Sequence, residues 1–215
     1  MTNIANNFSN NVFINCPFDH DYISLLRPLL FTILYLGYNP RIASERSDSG
    51  EARFQKICEL IEQSRISIHD LSRIRSAKKK EYYRLNMPFE LGIDIGCRRY
   101  KGDDQANQKK CLILEKEKHR YQKALSDMSG SDIKNHNNEP EEIVRQTRIW
   151  FVENENPRAD NATKIWESFN EFMADFYQKR EEEGYKDKDL EMMPIPEYIL
   201  FIKDWLDDQN SCVAL

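Results

Sequence analysis

The chain reads as an α/β protein, with a parallel sheet of about five strands flanked by helices and a helical C-terminal extension. Three observations predict this class. Short apolar runs, among them Val12-Phe13-Ile14 and Ile66-Ser67-Ile68, end in turn residues and are separated by stretches whose apolar residues recur at helical spacing. The run Cys111-Leu112-Ile113-Leu114 is continuously apolar, as in a strand covered on both faces. Strands and helices alternate, the order that produces a parallel sheet with right-handed crossovers.

Taken in order, residues 1–10 are Asn-rich and form a loose arm. The first strand, Val12–Ile14, is closed by Asn15-Cys16-Pro17-Phe18-Asp19. Tyr22, Leu25, Leu26, Leu29, Leu30, Ile33 and Leu34 mark a helix from about Asp21, with a kink or a later helix start expected at Pro28 and Gly37 closing it as the C′ residue. A second strand covers Pro40–Ser44, and a second helix runs from about Glu51 to Gln63. A third strand, Ile66–Asp70, leads through Leu71-Ser72 into a basic loop. The next helix opens at Pro88, which suits a first helical position and puts Glu90 in the first turn, where the dipole favours its ionised form. The fourth strand is Cys111–Leu114. A helix is expected over 119–128 and a short fifth strand near Ile133. Further helices are expected at about 141–153, 163–183 and 196–208, with an acidic connection at 181–191. The domain division that follows is residues 1–139 for the α/β unit and 140–215 for the helical extension. Trp150, Trp166, Trp205 and the Phe169, Phe172, Phe176 series read as helical core or an oligomer contact.

The bulk composition narrows the function. Hydrophobic residues are 40% and charged residues 31% of 215, a globular balance, and the longest apolar run is too short and interrupted to span a bilayer. No signal-peptide layout is visible, and five cysteines without paired metal-type spacing fit a reducing cytoplasm and no metal site. The net charge of −5 argues against general nucleic-acid binding. It is unevenly spread: Arg73 to Arg84 holds six basic residues and one acid, +5, leaving −10 elsewhere. GxGxxG, GxxxxGK[ST] and GxSxG motifs are all missing, which excludes ordinary dinucleotide dehydrogenase, P-loop and α/β-hydrolase chemistry.

In a parallel sheet the ligand binds outside the carboxyl ends of the strands. The residues there are Cys16, Phe18 and Asp19 after the first strand, Arg46 after the second, Asp70 and Ser72 after the third, and Asn86 and Glu90 at the next helix start. Carboxylates in such a place suit cleavage of an N-glycosidic bond, whose transition state resembles an oxocarbenium ion that a carboxylate stabilises or traps. Arg46 and the basic loop are candidates for phosphate, and Phe18 or Tyr82 for stacking on a base. The bland reading of Glu90 is a capping residue, with Glu90, Asp94 and Arg98 on one polar stripe. His69 reads as a satisfied core histidine and Cys16 as a small buried filler.

Val12-Phe13-Ile14-Asn15-Cys16-Pro17-Phe18, Ile68-His69-Asp70-Leu71-Ser72 and Met87-Pro88-Phe89-Glu90-Leu91-Gly92 together resemble the superfamily that joins nucleoside 2-deoxyribosyltransferases to bacterial Toll/interleukin receptor (TIR)-like domains. The resemblance spans about Asn11 to Leu114 and implies a flavodoxin-like sheet with a catalytic glutamate early in the helix after the third strand. On that basis Glu90 takes the catalytic role and Asp70 the place of a sugar-contacting acid. Phe18 and Asp19 border the nucleotide, with Cys16, Arg46, Ser72 and Asn86 beside them. The implied activity is cleavage or cyclisation of NAD at the nicotinamide–ribose bond, with NAD as substrate and no cofactor. The implied setting is a cytoplasmic homo-oligomer in anti-phage defence, with an effector or sensor protein as a possible partner and no membrane contact. Transferases carry a second acid and a Gly-Thr pair shortly before the glutamate, where this chain has Tyr82-Tyr83-Arg84-Leu85-Asn86. A deoxyribosyltransferase and a non-catalytic nucleotide- or protein-binding module stay open as alternatives.

Overall fold

The computed structural model describes residues 7–74, 85–155 and 158–213. The first six residues of the Asn-rich arm, and the basic loop from Arg75 to Arg84 with Tyr82, lie outside them. Five strands, β1 (Asn11–Asn15), β2 (Asn39–Ile42), β3 (Ile66–Asp70), β4 (Lys110–Glu115) and β5 (Lys134–Asn135), form one sheet in the order β2-β1-β3-β4-β5. Every pairing is parallel. This is the flavodoxin-like order, whose direction reverses between β1 and β3 and opens a crevice there.

Side-chain alternation assigns the two faces. Val12, Ile14, Ile66, Ile68, Leu112 and Leu114 point to one side, where α1 (Ile23–Tyr35) and α5 (Pro140–Asn154) cover them. Phe13 and Ile113 point to the other, under α2 (Arg53–Glu62) and α3 (Asn86–Tyr100). A short α4 (Asp104–Asn107) leads into β4.

The C-terminal helices α6 (Ala162–Glu182), α7 (Asp187–Glu191) and α8 (Ile195–Val213) extend the core on the α1 side. Phe31 of α1 is the hinge of this packing, with ring centroids 5.5, 5.6 and 5.9 Å from Phe169, Phe172 and Trp205. Most of the tryptophan–phenylalanine series is core: Trp150, Trp205, Phe169, Phe172 and Phe176 are buried, and the partly buried Trp166 stacks on Phe169 at 5.4 Å. Arg65 at the start of β3 closes the lower end through a two-pronged pair with Glu155, at 2.9 and 2.5 Å. Among the described residues no helix is long and apolar enough to cross a membrane.

Three local expectations change. Helix α3 begins at Asn86, so Pro88 is its third residue and Glu90 its fifth, outside the first turn. Pro88 is still tolerated because the first four helical N–H groups have no intrahelical acceptor. The stretch 119–128 forms two short 3₁₀ turns, Arg120–Lys123 and Ser126–Met128, because His119 enters with φ 63° and the Tyr121 hydroxyl bonds the Met128 and Ser131 carbonyls. The short fifth strand stands where expected, beside Ile133 at Lys134–Asn135. The acidic connection contains α7, whose Leu190 is buried. At Gly37 the expectation holds: φ is +83°, and Tyr38 N–H bonds the Ile33 carbonyl while Gly37 N–H bonds that of Leu34, the Schellman pattern.

Candidate active site

At the carboxyl ends of β1 and β3, beside the crevice, Cys16 lies within reach of the charges of both Asp70 and Glu90. Asn15 anchors the arrangement: its Nδ2 donates to the Met87 carbonyl at 2.9 Å, fastening the first turn of α3 to the end of β1. Cys16 is fully buried, and burial followed by the charges of Asp70 and Glu90 pushes its thiol well above the usual range. The two carboxylates therefore act on one point. Cys16 is a neutral filler between them, not a nucleophile.

Glu90 is 6% exposed, and desolvation raises its pKa to about 6, against the opposing charge of Arg53 and a hydrogen bond from the Asn86 side chain. Burial thus overrides the expected dipole preference for the ionised form, which acts only within the first turn. Around it stands a rim of exposed aromatics. Phe18 is 40%, Phe54 55% and Phe89 58% exposed. The Phe54 and Phe89 rings lie offset at 5.9 Å, and the Arg53 guanidinium sits 6.0 Å from the Phe18 ring. Such faces suit stacking on a nucleobase.

Asp70 does not line this crevice as a sugar-contacting acid; it is 0% exposed. Oδ1 accepts from Ser72 N–H at 2.7 Å, Oδ2 accepts from the Tyr22 hydroxyl at 2.5 Å, and His136 Nε2 stands 3.1 Å from Oδ2. His136 Nδ1 accepts from Asn138 N–H at 3.1 Å, so the ring proton is on Nε2, facing Asp70. Burial pushes the Asp70 carboxyl up, but the His136, Ser72 and Tyr22 contacts outweigh it and hold it below the ordinary range. Ser72 is buried and its carbonyl accepts from Arg120, which also pairs with the buried Glu115 at 2.5 Å. Asp70 and Ser72 stiffen the floor behind Glu90.

Arg46 is not available to a phosphate in this arrangement. Its guanidinium is held by Glu51 at 3.0 Å and Glu59 at 2.9 Å, both supplied by the next turn and helix. Arg53, seven residues on, is the cation that reaches the Glu90 rim, and sequence reasoning passed over it. Arg53 falls inside the stretch read as the second helix, and nothing local shows that α2 packs beside α3. Asp19 lies on the Phe18 loop at the crevice edge, half-buried. His136 and Tyr22 were also missed, since only the sheet order brings them to Asp70.

A second buried network lies under α3. His69 Nδ1 accepts from Asn15 Nδ2 at 3.0 Å, so Nε2 carries the proton and donates to Asp94 Oδ2 at 3.2 Å. Lys109 Nζ stands 3.1 Å from Asp94 Oδ1 and donates to the Ile61 and Ser64 carbonyls at 2.7 and 2.6 Å. The ligating atoms of His69, Asp94 and Cys111 lie within 4.8 Å of one another, a metal-like spacing. The Lys109 ammonium already supplies the positive charge there, so the cluster reads as a satisfied ion pair.

Comparison of the chain with protein-family models, with curated proteins and with solved structures finds no match. Residue chemistry at the crevice is what bears on function.

Proposed function

We propose that the protein is a nucleotide N-glycosidase of TIR-like type, which cleaves or cyclises NAD at the nicotinamide–ribose bond. The observation that carries this reading is Glu90: a buried carboxyl, raised to about 6, at the crevice where the strand order reverses and rimmed by Phe18, Phe89 and Arg53. At neutral pH it is mostly ionised in a place that solvates its charge poorly. A cation forming at ribose C1′ answers that charge, so attraction grows from ground state to transition state. The bonding pair leaves with the pyridinium nitrogen, which departs as neutral nicotinamide and needs no acid. The ribosyl cation is then trapped by water, giving ADP-ribose and a proton, or by an adenine nitrogen, giving a cyclic product.

In this scheme Glu90 stabilises or traps the cation, and Asp70 is a positioning residue behind it. Phe18 and Phe89 stack on base or nicotinamide, and Arg53 is the cation offered to phosphate in place of Arg46. A cytoplasmic, oligomeric protein acting in anti-phage defence is the setting that the superfamily resemblance suggests.

Chromatography of NAD incubated with the purified protein tests the reading. Nicotinamide release by the wild type, reduced at least a hundredfold in Glu90→Gln, is the expected outcome. Turnover that survives the substitution removes Glu90 from the mechanism. Wild-type protein that binds NAD without consuming it, in every assembled state, makes this a binding module instead. Exchange of deoxyribose between free bases would assign it to the transferases.

A further inference from the structure

A second cavity, of about 190 Å³, lies between the β1–α1 loop and the C-terminal extension. Phe18, Asp19 and Leu26 line one wall, and Glu191, Met193 and Ile195 the other. Arg27 builds it. Its guanidinium donates to the Leu190 carbonyl at 2.5 Å and to the Tyr177 hydroxyl at 3.2 Å, and lies 5.0 Å from the Tyr198 ring, clamping the end of α7 against α1.

The chemistry of this groove selects its occupant. Its walls are apolar, with the Phe18 and Tyr198 rings beside Leu26, Met193 and Ile195, which suits a flat ring, and the carboxylate of Glu191 at its edge suits an amino donor. The cation nearby, Arg27, is already committed to chain contacts, so phosphate is disfavoured. The groove also adjoins the reaction centre. Phe18 belongs to its wall, the same ring lies under Arg53, and the charge of Arg53 acts on Glu90.

We propose that this groove is the base subsite for the half of the dinucleotide remote from the scissile bond, and that it takes the adenine ring. The proposal rests on reading Glu90 as the reaction centre and gives the C-terminal extension a direct part in substrate selection. Leu26, Met193 and Ile195 enclose the ring, and Glu191 accepts from its amino group.

Calorimetric titration of the full chain with AMP and, separately, nicotinamide mononucleotide tests it. Met193→Trp fills the groove, and Glu191→Gln, on the exposed surface, removes an acceptor without touching the core. The expected result is a Kd for AMP weakened at least tenfold by the first variant and severalfold by the second, with nicotinamide mononucleotide binding unchanged in both. AMP that fails to bind the wild type, or binds both variants with wild-type affinity, overturns the proposal. The two readings fail separately. Groove-dependent AMP binding without nicotinamide release removes the glycosidase and keeps the subsite. NAD turnover with the same KM in both variants removes the subsite and keeps the glycosidase.

Discussion

Glu90 and Asp94 stand one turn apart on the same helix, at 6% and 3% exposure, and their pKa values move in opposite directions, to about 6 and about 2. Burial penalises both charges. At Asp94 that penalty is outweighed by His69, Lys109 and Ser67, each within contact of the carboxylate. At Glu90 the opposing influences are the charge of Arg53 and the Asn86 side chain, and desolvation wins. The difference separates two uses of a buried acid. A carboxylate answered by fixed partners is part of the scaffold, whereas one left under-answered is ready for a cation that arrives with the substrate.

The largest test of this contrast is Asp94→Asn. It leaves the Lys109 ammonium buried without a counter-charge and should cost about 3–5 kcal/mol, read as a lower urea midpoint. The pH dependence has a definite sign. Asp94 is held below its unfolded value of 3.8, so its contribution is present above that pH and is lost as pH falls from there towards about 2. Acid unfolding of the wild type should be steep in that window and flatter in the variant. A variant of unchanged midpoint would mean that the pair contributes nothing.

Glu90→Gln should act in the reverse sense. Its folded pKa of about 6 lies above the unfolded value of 4.5, so the folded protein holds the extra proton and loses stability as pH rises between the two. Removing the charge should therefore stabilise the protein at pH 7.5 by about 1–2 kcal/mol, while nicotinamide release is lost. Thermal unfolding at pH 7.5 and 4.5 checks this, the gain at the higher pH vanishing at the lower. In the wild type, turnover should climb as pH rises through about 6. The smallest expected effect is at Arg46. Its pairs with Glu51 and Glu59 are partly exposed to solvent, so Arg46→Ala should change stability by less than about 1 kcal/mol and leave nucleotide affinity unaltered.

The fold was legible because its strands are short apolar runs with hard stops. Ile66–Asp70 is predicted and observed with the same ends, and Gly37 closes α1 where a left-handed residue was required. The place of Glu90 after β3 was equally readable. Its electrostatic state was not, because the helix start at Asn86 has no side-chain cap to announce it, and the burial that raises the carboxyl comes from packing. Asp70 reads as a site acid from β3 alone. Its partners arrive from Tyr22, 48 residues earlier, and His136, 66 residues later, and turn it inward. Arg46 was credited for standing at a strand end, yet Glu59, 13 residues on, captures it. Local pattern locates elements; pairing across the sheet decides what their charges do.

Phe31 has a consequence for how this chain is made. Its ring is covered by Phe169, Phe172 and Trp205, which leave the ribosome long after the first four strands. A nascent chain through β5 therefore presents a bare aromatic face on α1, and the wall formed by Met193 and Ile195 does not yet exist. Completion of the core therefore waits for α6 and α8, and contacts spanning well over a hundred residues slow that step. Under the groove assignment, such an unfinished chain could bind no dinucleotide, so the proposed activity would be absent until α8 has docked.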